Sequence, residues 1–142
     1  MCHSPKIIMQ YHFREATQDD ENYVLIRGGA NHQGNACRSY VGMIGGPQTL
    51  YIYNKCSNKR TIQHEFLHAI GQYHVHQRPD RDDYIHVNYD KIDKKWWPNF
   101  DKKYGTVNFA VPYDGRSLMH YPFNGYNMYS LVRYIFSYCT SE

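Results

Sequence analysis

Three histidines, His64, His68 and His74, restrict the fold of this 142-residue chain more than any other feature of its sequence. His64 and His68 are four residues apart, so on an α-helix their side chains project from one face. Gly71 follows, and glycine accepts the left-handed backbone conformation that closes a helix. The chain can then turn and bring His74 back toward the first two histidines. The spacing therefore predicts a helix, a turn and a returning segment that meet at one point.

The residue types at this point predict a catalytic zinc site. Imidazole suits Zn²⁺ at about 2.0 to 2.1 Å, and three protein ligands leave one coordination position open for water, as in catalytic sites. Glu65 follows the first ligand, where it can take a proton from a water molecule that the metal activates. The full string His64-Glu65-x-x-His68-x-x-Gly71-x-x-His74 is much more specific than a histidine pair. We therefore expect one zinc ion per chain and metal-assisted hydrolysis of peptide bonds.

Composition fits a single globular domain and excludes several other classes of protein. The hydrophobic content is 42% and the charged content is 20%, as in ordinary soluble proteins. The net charge of +3 is scattered, so nucleic acid is not expected as a partner. No apolar stretch approaches the roughly 20 residues that span a bilayer, so a membrane is not expected as a partner either. The first residues, Met1 to Lys6, lack the layout of a secretory signal.

The four cysteines leave two interpretations open. Cys2, Cys37, Cys56 and Cys139 form no CxxC pair, so neither a zinc ribbon nor a thioredoxin-type site is expected. An even number is compatible with two disulfides, which would imply an oxidising compartment. Four unpaired, partly buried thiols are equally compatible with the count.

The rest of the sequence divides at the zinc-site motif. Short β-branched and apolar runs, bounded by glycine or acidic residues, predict strands before it. Helical periodicity begins at about Thr61, after a possible N-cap region at Ser57-Asn58. Beyond Pro79 the chain is polar, aromatic and rich in turn residues, which predicts mostly irregular structure. The three predicted strands are Tyr23–Ile26, Ser39–Ile44 and Thr49–Tyr53.

Three stretches of the sequence resemble the astacins, a family of metzincin zinc endopeptidases. His64 to Tyr84 reads HEFLHAIGQYHVHQRPDRDDY, which is similar to the family pattern HExxHxxGFxHExxRxDRDxY. The segment SLMHY, which ends at Tyr121, resembles the family's Met-turn, SxMHY. The segment CRSYVG, which begins at Cys37, resembles the part of the family that precedes the zinc helix. The resemblance extends from about Phe13 to Tyr121.

The resemblance implies a role for each matching residue. The zinc ligands would be His64, His68 and His74. Glu65 would act first as general base and then as general acid. Met119 would form an apolar floor beneath the metal without binding it. Tyr121 would be a phenol ligand that can swing away from the zinc and stabilise the oxyanion, because such a donor must point at charge that appears only in the transition state.

The resemblance also implies how a substrate binds and where the protein acts. The stretch from Cys37 to Val41 would be an exposed edge strand that pairs with an extended polypeptide substrate through main-chain hydrogen bonds. The alternative is an edge that is already paired within the sheet. Cys37 and Cys56 would form a disulfide, and the protein would be a secreted, extracellular monomer.

The expected fold class is α+β. The resemblance implies a two-lobed, metzincin-like zinc protease in which an N-terminal twisted mixed β-sheet and the zinc-binding helix form an upper lobe of about residues 1–73. Residues 74–142 would form a mostly irregular lower lobe. Together they would make one partial catalytic domain over residues 1–142.

Departures from the family pattern keep a second function open. Val75 stands where the family usually has a glutamate that helps bury the N-terminus formed on activation, and valine cannot accept those hydrogen bonds. Gln72 replaces a usual aromatic residue. A propeptide, most of the first helix and the closing C-terminal helix are not recognisable, and a disulfide between Cys2 and Cys139 could replace the outer one. The alternative function is a zinc-binding but catalytically weak or inactive fragment that acts as a binding module.

Overall fold

The structure is a computed structural model that describes residues 11–28, 36–105, 111–121 and 128–131. In its first part, strand β1 (Val24–Gly28) pairs in parallel with strand β2 (Gln48–Ile52). Both strands were predicted to within about two residues, because their β-branched and apolar runs are bounded by turn residues. Leu50 and Gln48 are buried on one face of β2, and this strand is the centre of the first sheet.

The opposite edge of β2 carries a single antiparallel bridge. Arg38 and Tyr51 exchange both backbone hydrogen bonds, at 3.2 and 2.9 Å. With this bridge the first sheet contains both parallel and antiparallel pairing, as the predicted mixed sheet requires.

The predicted strand over Ser39–Ile44 is wrong, because the chain loops there without a ladder partner. Gly42, inside this stretch, has a φ of 74°, which an extended strand cannot contain. The Gln48 side chain takes the place of a neighbouring strand by accepting from the Ile44 N–H and donating to the Gly42 carbonyl.

A disulfide joins this segment to the chain that follows β2. Cys37 and Cys56 are bonded, with their Cα atoms 5.9 Å apart, as the family resemblance implied. Cys2 and Cys139, whose pairing the sequence leaves open, lie outside the described residues.

Helix α1 (Lys59–Ala69) follows the disulfide and lies against β2. Asn58 is its N-cap, because its side-chain oxygen accepts from the Thr61 N–H at 3.0 Å. The helix therefore begins two residues before the predicted start near Thr61. Gly71 has a φ of 100° directly after the helix, which confirms the predicted stop. None of the described helices is long and apolar enough to cross a membrane.

Turns, 3₁₀ segments and two three-residue strands make up the described part of the chain after α1. Strand β3 (Ile85–Val87) pairs antiparallel with strand β4 (Tyr129–Leu131). Ile85, Val87, Ile92 and Phe100 form a buried apolar cluster beside this pair. The prediction of mostly irregular structure is confirmed, although three-residue strands are too short for their periodicity to be recognised.

The 3₁₀ segments are Asn54–Cys56, Val75–Gln77, Arg81–Asp83, Tyr89–Lys91 and Lys94–Phe100. The division into lobes near residue 73 stays a prediction.

Candidate metal centre

The three histidines of the motif meet at one point, as their spacing predicts. His64 and His68 lie on successive turns of α1, and His74 returns after the left-handed turn at Gly71. One ligand nitrogen from each histidine lies within 4.8 Å of the others. The Nε2 atoms of His64 and His74 are 3.2 Å apart. Two nitrogen ligands at about 2.0 to 2.1 Å around a tetrahedral zinc ion are roughly 3.3 Å apart, so this pair has the spacing that zinc requires.

Backbone carbonyls fix the orientation of two of the three rings. His64 Nδ1 lies 3.0 Å from the Leu118 carbonyl, and His68 Nδ1 lies 2.7 Å from the Gln72 carbonyl. A carbonyl can only accept, so each Nδ1 must carry the hydrogen and donate it. In the neutral ring the lone pair is then on Nε2, which is the atom left to bind a metal.

The third ring is held by a side chain. The Gln77 side chain hydrogen-bonds His74, and its amide Nε2 donates to the Asn99 carbonyl at 3.1 Å. Burial lowers the pKa of His68 below its usual value and lowers the pKa of His74 to about 4. Both rings are therefore neutral near pH 7, and a neutral imidazole is the form that binds metal. The donor set, the tautomers and the spacing together fit a zinc ion.

Glu65 lies beside the metal-binding histidines on the same helix and is only 6% exposed. Burial raises the pKa of this carboxyl, while the neighbouring His64 and a hydrogen bond from the Ser39 backbone N–H lower it in part. A buried carboxyl with a raised pKa is suited to exchanging a proton at neutral pH.

The predicted turn at Met119 contacts the metal-binding segment at two points. Met119 is 2% exposed, its N–H donates to the Ser117 hydroxyl, and its carbonyl accepts from the Val75 N–H at 2.9 Å. The preceding carbonyl, that of Leu118, is the one that orients His64. The turn therefore contacts both ends of the metal-binding segment.

Tyr121 lies at the edge of the histidine cluster. Its ring centroid is 4.9 Å from that of His74, 4.2 Å from that of His76 and 6.0 Å from that of Phe100. Burial raises the pKa of the Tyr121 phenol, so its O–H keeps the proton at neutral pH. The arrangement places a protonated phenol next to the third metal-binding histidine.

Several groups that complete this centre were not predicted from the sequence. The carbonyls of Gln72 and Leu118 orient two histidines, but a backbone acceptor leaves no trace in residue identity. Gln77 and the fully buried His76 pack around His74 from the segment that follows it. A polar residue two or three positions after a ligand was the only available signal, and it is too common to be informative.

The low pKa values of the buried histidines predict a pH effect on stability. Burial holds the pKa of His76 at about 3 and that of His74 at about 4, against about 6.5 in an unfolded chain. Between about pH 6.5 and pH 4 the unfolded chain therefore binds protons that the folded chain does not, and stability falls as the pH falls. We expect the melting temperature of the metal-free protein, followed by circular dichroism, to drop across this window and to stay level above it.

Two variants isolate the histidine contribution to this slope. His76→Gln removes one of the buried titrating groups and should make the dependence on pH shallower. His86→Gln, at an exposed position of β3, should leave the slope unchanged. A melting temperature that is constant from pH 6.5 to pH 4 in the parent protein would contradict the expected effect.

A family model and several known proteins are similar to this chain. A family model described as Astacin, a family of peptidases, matches residues 8–138. Zinc metalloproteinase nas-14 of Caenorhabditis elegans is 38% identical over 112 residues, which are 77% of this chain and 22% of that protein. Meprin A subunit beta of Rattus norvegicus is 42% identical over 105 residues, which are 72% of this chain and 14% of that protein. The chain thus spans about a fifth of nas-14 and less of the meprin subunit.

A solved structure extends the similarity to the fold. High choriolytic enzyme 1, a hatching enzyme zinc-protease from Oryzias latipes, matches with a TM-score of 0.73 and 30% sequence identity. The match covers 84% of this chain and 60% of that one. This similarity confirms the predicted α+β fold, in which a zinc-binding helix lies against a mixed sheet.

Proposed function

The chain belongs to the astacin family, and from this membership we propose that it is a zinc-dependent endopeptidase that hydrolyses peptide bonds of extended polypeptides. The observation that carries the proposal is the convergence of three imidazoles, each held by a hydrogen bond, beside the buried carboxyl of Glu65. His64, His68 and His74 are the zinc ligands in this proposal. When bound, zinc supplies Lewis acidity and lowers the pKa of a coordinated water to about 7.

Glu65 is the proposed general base and then the general acid. Its carboxylate takes the proton of the attacking water and later gives that proton to the leaving amine. The Ser39 N–H contacts the carboxylate and favours its charged form. Burial supports this role, because it brings the pKa of the carboxyl closer to neutral pH than that of an exposed glutamate.

Tyr121 is the proposed donor to the oxyanion that forms on the scissile carbonyl. Its phenol keeps its proton at neutral pH, so it can donate a hydrogen bond as negative charge develops. Contacts with His74, His76 and Phe100 restrict the ring to the edge of the site. A donor held in advance needs little reorganisation during the reaction.

The stretch from Cys37 to Val41 is the proposed substrate-binding edge. Both backbone groups of Arg38 point toward β2, where they bond Tyr51. Because successive residues of an extended chain point their backbone groups to opposite sides, those of Cys37 and Ser39 point away from β2. An extended polypeptide can pair there, next to the carboxylate that the Ser39 N–H already contacts.

The Cys37–Cys56 disulfide supports an extracellular setting for this activity. Disulfides form and persist mainly in oxidising compartments. We therefore propose that the protein is secreted, and that its substrates are extracellular polypeptides.

Removal of zinc tests the proposed activity. Cleavage of a reduced, carboxymethylated protein should stop when 1,10-phenanthroline strips the metal, and one equivalent of added zinc should restore it. Activity should fall and recover in proportion to the zinc content of the protein, measured by mass spectrometry. Cleavage that continues in the stripped protein would contradict a zinc mechanism. One zinc per chain without cleavage of any member of a broad peptide library would instead favour a binding module, the function that Val75 keeps open.

A further inference from the structure

Arg38 lies on the proposed substrate-binding edge with its charge uncompensated by any described residue. Its side chain is exposed, and no carboxylate of the described part of the chain forms an ion pair with it. The guanidinium carbon lies over the Tyr51 ring, 4.6 Å from the ring centroid. Tyr51 in turn stacks on Tyr53 at 5.9 Å, and Tyr53 is only 8% exposed. The guanidinium therefore rests on a fixed aromatic support.

This support leaves the hydrogen-bond donors of Arg38 available. A guanidinium that stacks on a ring uses its planar face, while its N–H groups point outward in the plane. The same N–H groups match a carboxylate in a two-point hydrogen-bonded pair. Because stacking has already restricted the side chain, less conformational freedom is lost when a carboxylate binds.

The pairing of Arg38 with Tyr51 fixes the face of the sheet on which the guanidinium lies. Residues directly opposite each other on neighbouring strands point their side chains to the same face. Arg38 and Tyr51 therefore share one face, whereas Leu50 is buried on the other. The backbone edge next to Arg38 that faces away from β2 is the edge along which a substrate would pair.

A substrate strand on that side has one residue opposite Arg38, and its side chain also points to the face of the guanidinium. The residues before and after it point to the other face, whichever direction the substrate runs. We propose that Arg38 is a specificity-determining residue that selects an acidic side chain at this single substrate position. The proposal rests on the proposed function, because it takes the substrate to lie along the Cys37–Val41 edge.

A set of quenched fluorescent peptides tests this selection. All peptides share one cleavage site. Each peptide differs from the others at a single position, before or after that site, which carries glutamate, glutamine or lysine. At one position only, glutamate should raise kcat/KM over glutamine by about three- to five-fold, as expected for an exposed ion pair. The preference should weaken at high salt, because salt screens exposed charges.

Charge-reversal and control variants assign the preference to Arg38. Arg38→Glu should reverse the order, so that lysine is preferred to glutamate at the same position. Arg27→Glu is the matched control. Arg27 pairs with Tyr51 from the β1 side, so it lies on the same face of the sheet but about two strand spacings, roughly 10 Å, from Arg38. For this control variant, the ratio of kcat/KM for the glutamate peptide to kcat/KM for the glutamine peptide should equal the ratio for the parent protein. Each ratio is taken within one variant, so a general loss of activity does not affect it.

Peptide binding, followed by fluorescence anisotropy, separates this inference from the proposed function. If no peptide is cleaved, but the glutamate peptide binds more tightly than the lysine peptide and Arg38→Glu reverses that order, the endopeptidase proposal fails and the role of Arg38 stands. If peptides are cleaved without any acidic preference, or if Arg38→Glu does not reverse the preference, the role of Arg38 is contradicted.

Discussion

Glu65→Gln should lower kcat of peptide cleavage by about 10² to 10⁴-fold while the protein still binds one zinc ion. Glutamine has nearly the same shape and can still accept the hydrogen bond from the Ser39 N–H, but it cannot take a proton from the attacking water. The histidines and their carbonyl partners are unchanged, so zinc content should stay at the parent level. The measurements are kcat on a quenched peptide and zinc per chain by mass spectrometry.

The control for this variant is Glu21→Gln, which removes the same charge at an exposed position of the described chain. It should retain parent activity. A Glu65→Gln protein that keeps both its zinc and its full kcat would show that another group is the base.

Tyr121→Phe should lower kcat by about 10² to 10³-fold with little change in KM, because the lost hydrogen bond forms only with the transition state. Phenylalanine keeps the ring contacts with His74, His76 and Phe100, so the fold and the zinc content should not change. The measurement is a full steady-state analysis of both proteins at the same zinc loading.

Tyr104→Phe is the matched control, since Tyr104 is 77% exposed and removal of its hydroxyl should leave kcat unchanged. An unchanged kcat in Tyr121→Phe would contradict the oxyanion role. If KM instead rose by a similar factor while kcat stayed unchanged, the hydroxyl would be assigned to substrate binding.

The zinc helix was predictable because its determinants are local. The four-residue spacing of His64 and His68, the Asn58 cap and the positive φ of Gly71 each act within one or two turns of chain. The strands β1 and β2 were also predictable, because each is a short β-branched and apolar run bounded by turn residues.

The parts that were missed depend on contacts between distant segments. The apolar residues of Ser39–Ile44 suggested a strand, but the positive φ of Gly42 turns the chain, and its N–H bonds the His68 carbonyl at 2.8 Å. The Leu118 carbonyl reaches His64 across 54 residues. Such backbone contacts follow from the completed fold, and residue identity does not encode them.

X-ray absorption spectroscopy at the zinc edge of the folded protein tests the central claim most directly, because it reports which atoms bind the metal. The account predicts one zinc per chain with three nitrogen neighbours at about 2.0 to 2.1 Å, completed by oxygen. In a His68→Ala variant the nitrogen shell should shrink and zinc should be lost on dialysis. Sulfur neighbours at about 2.3 Å, or a zinc shell unaffected by His68→Ala, would contradict the three-histidine centre.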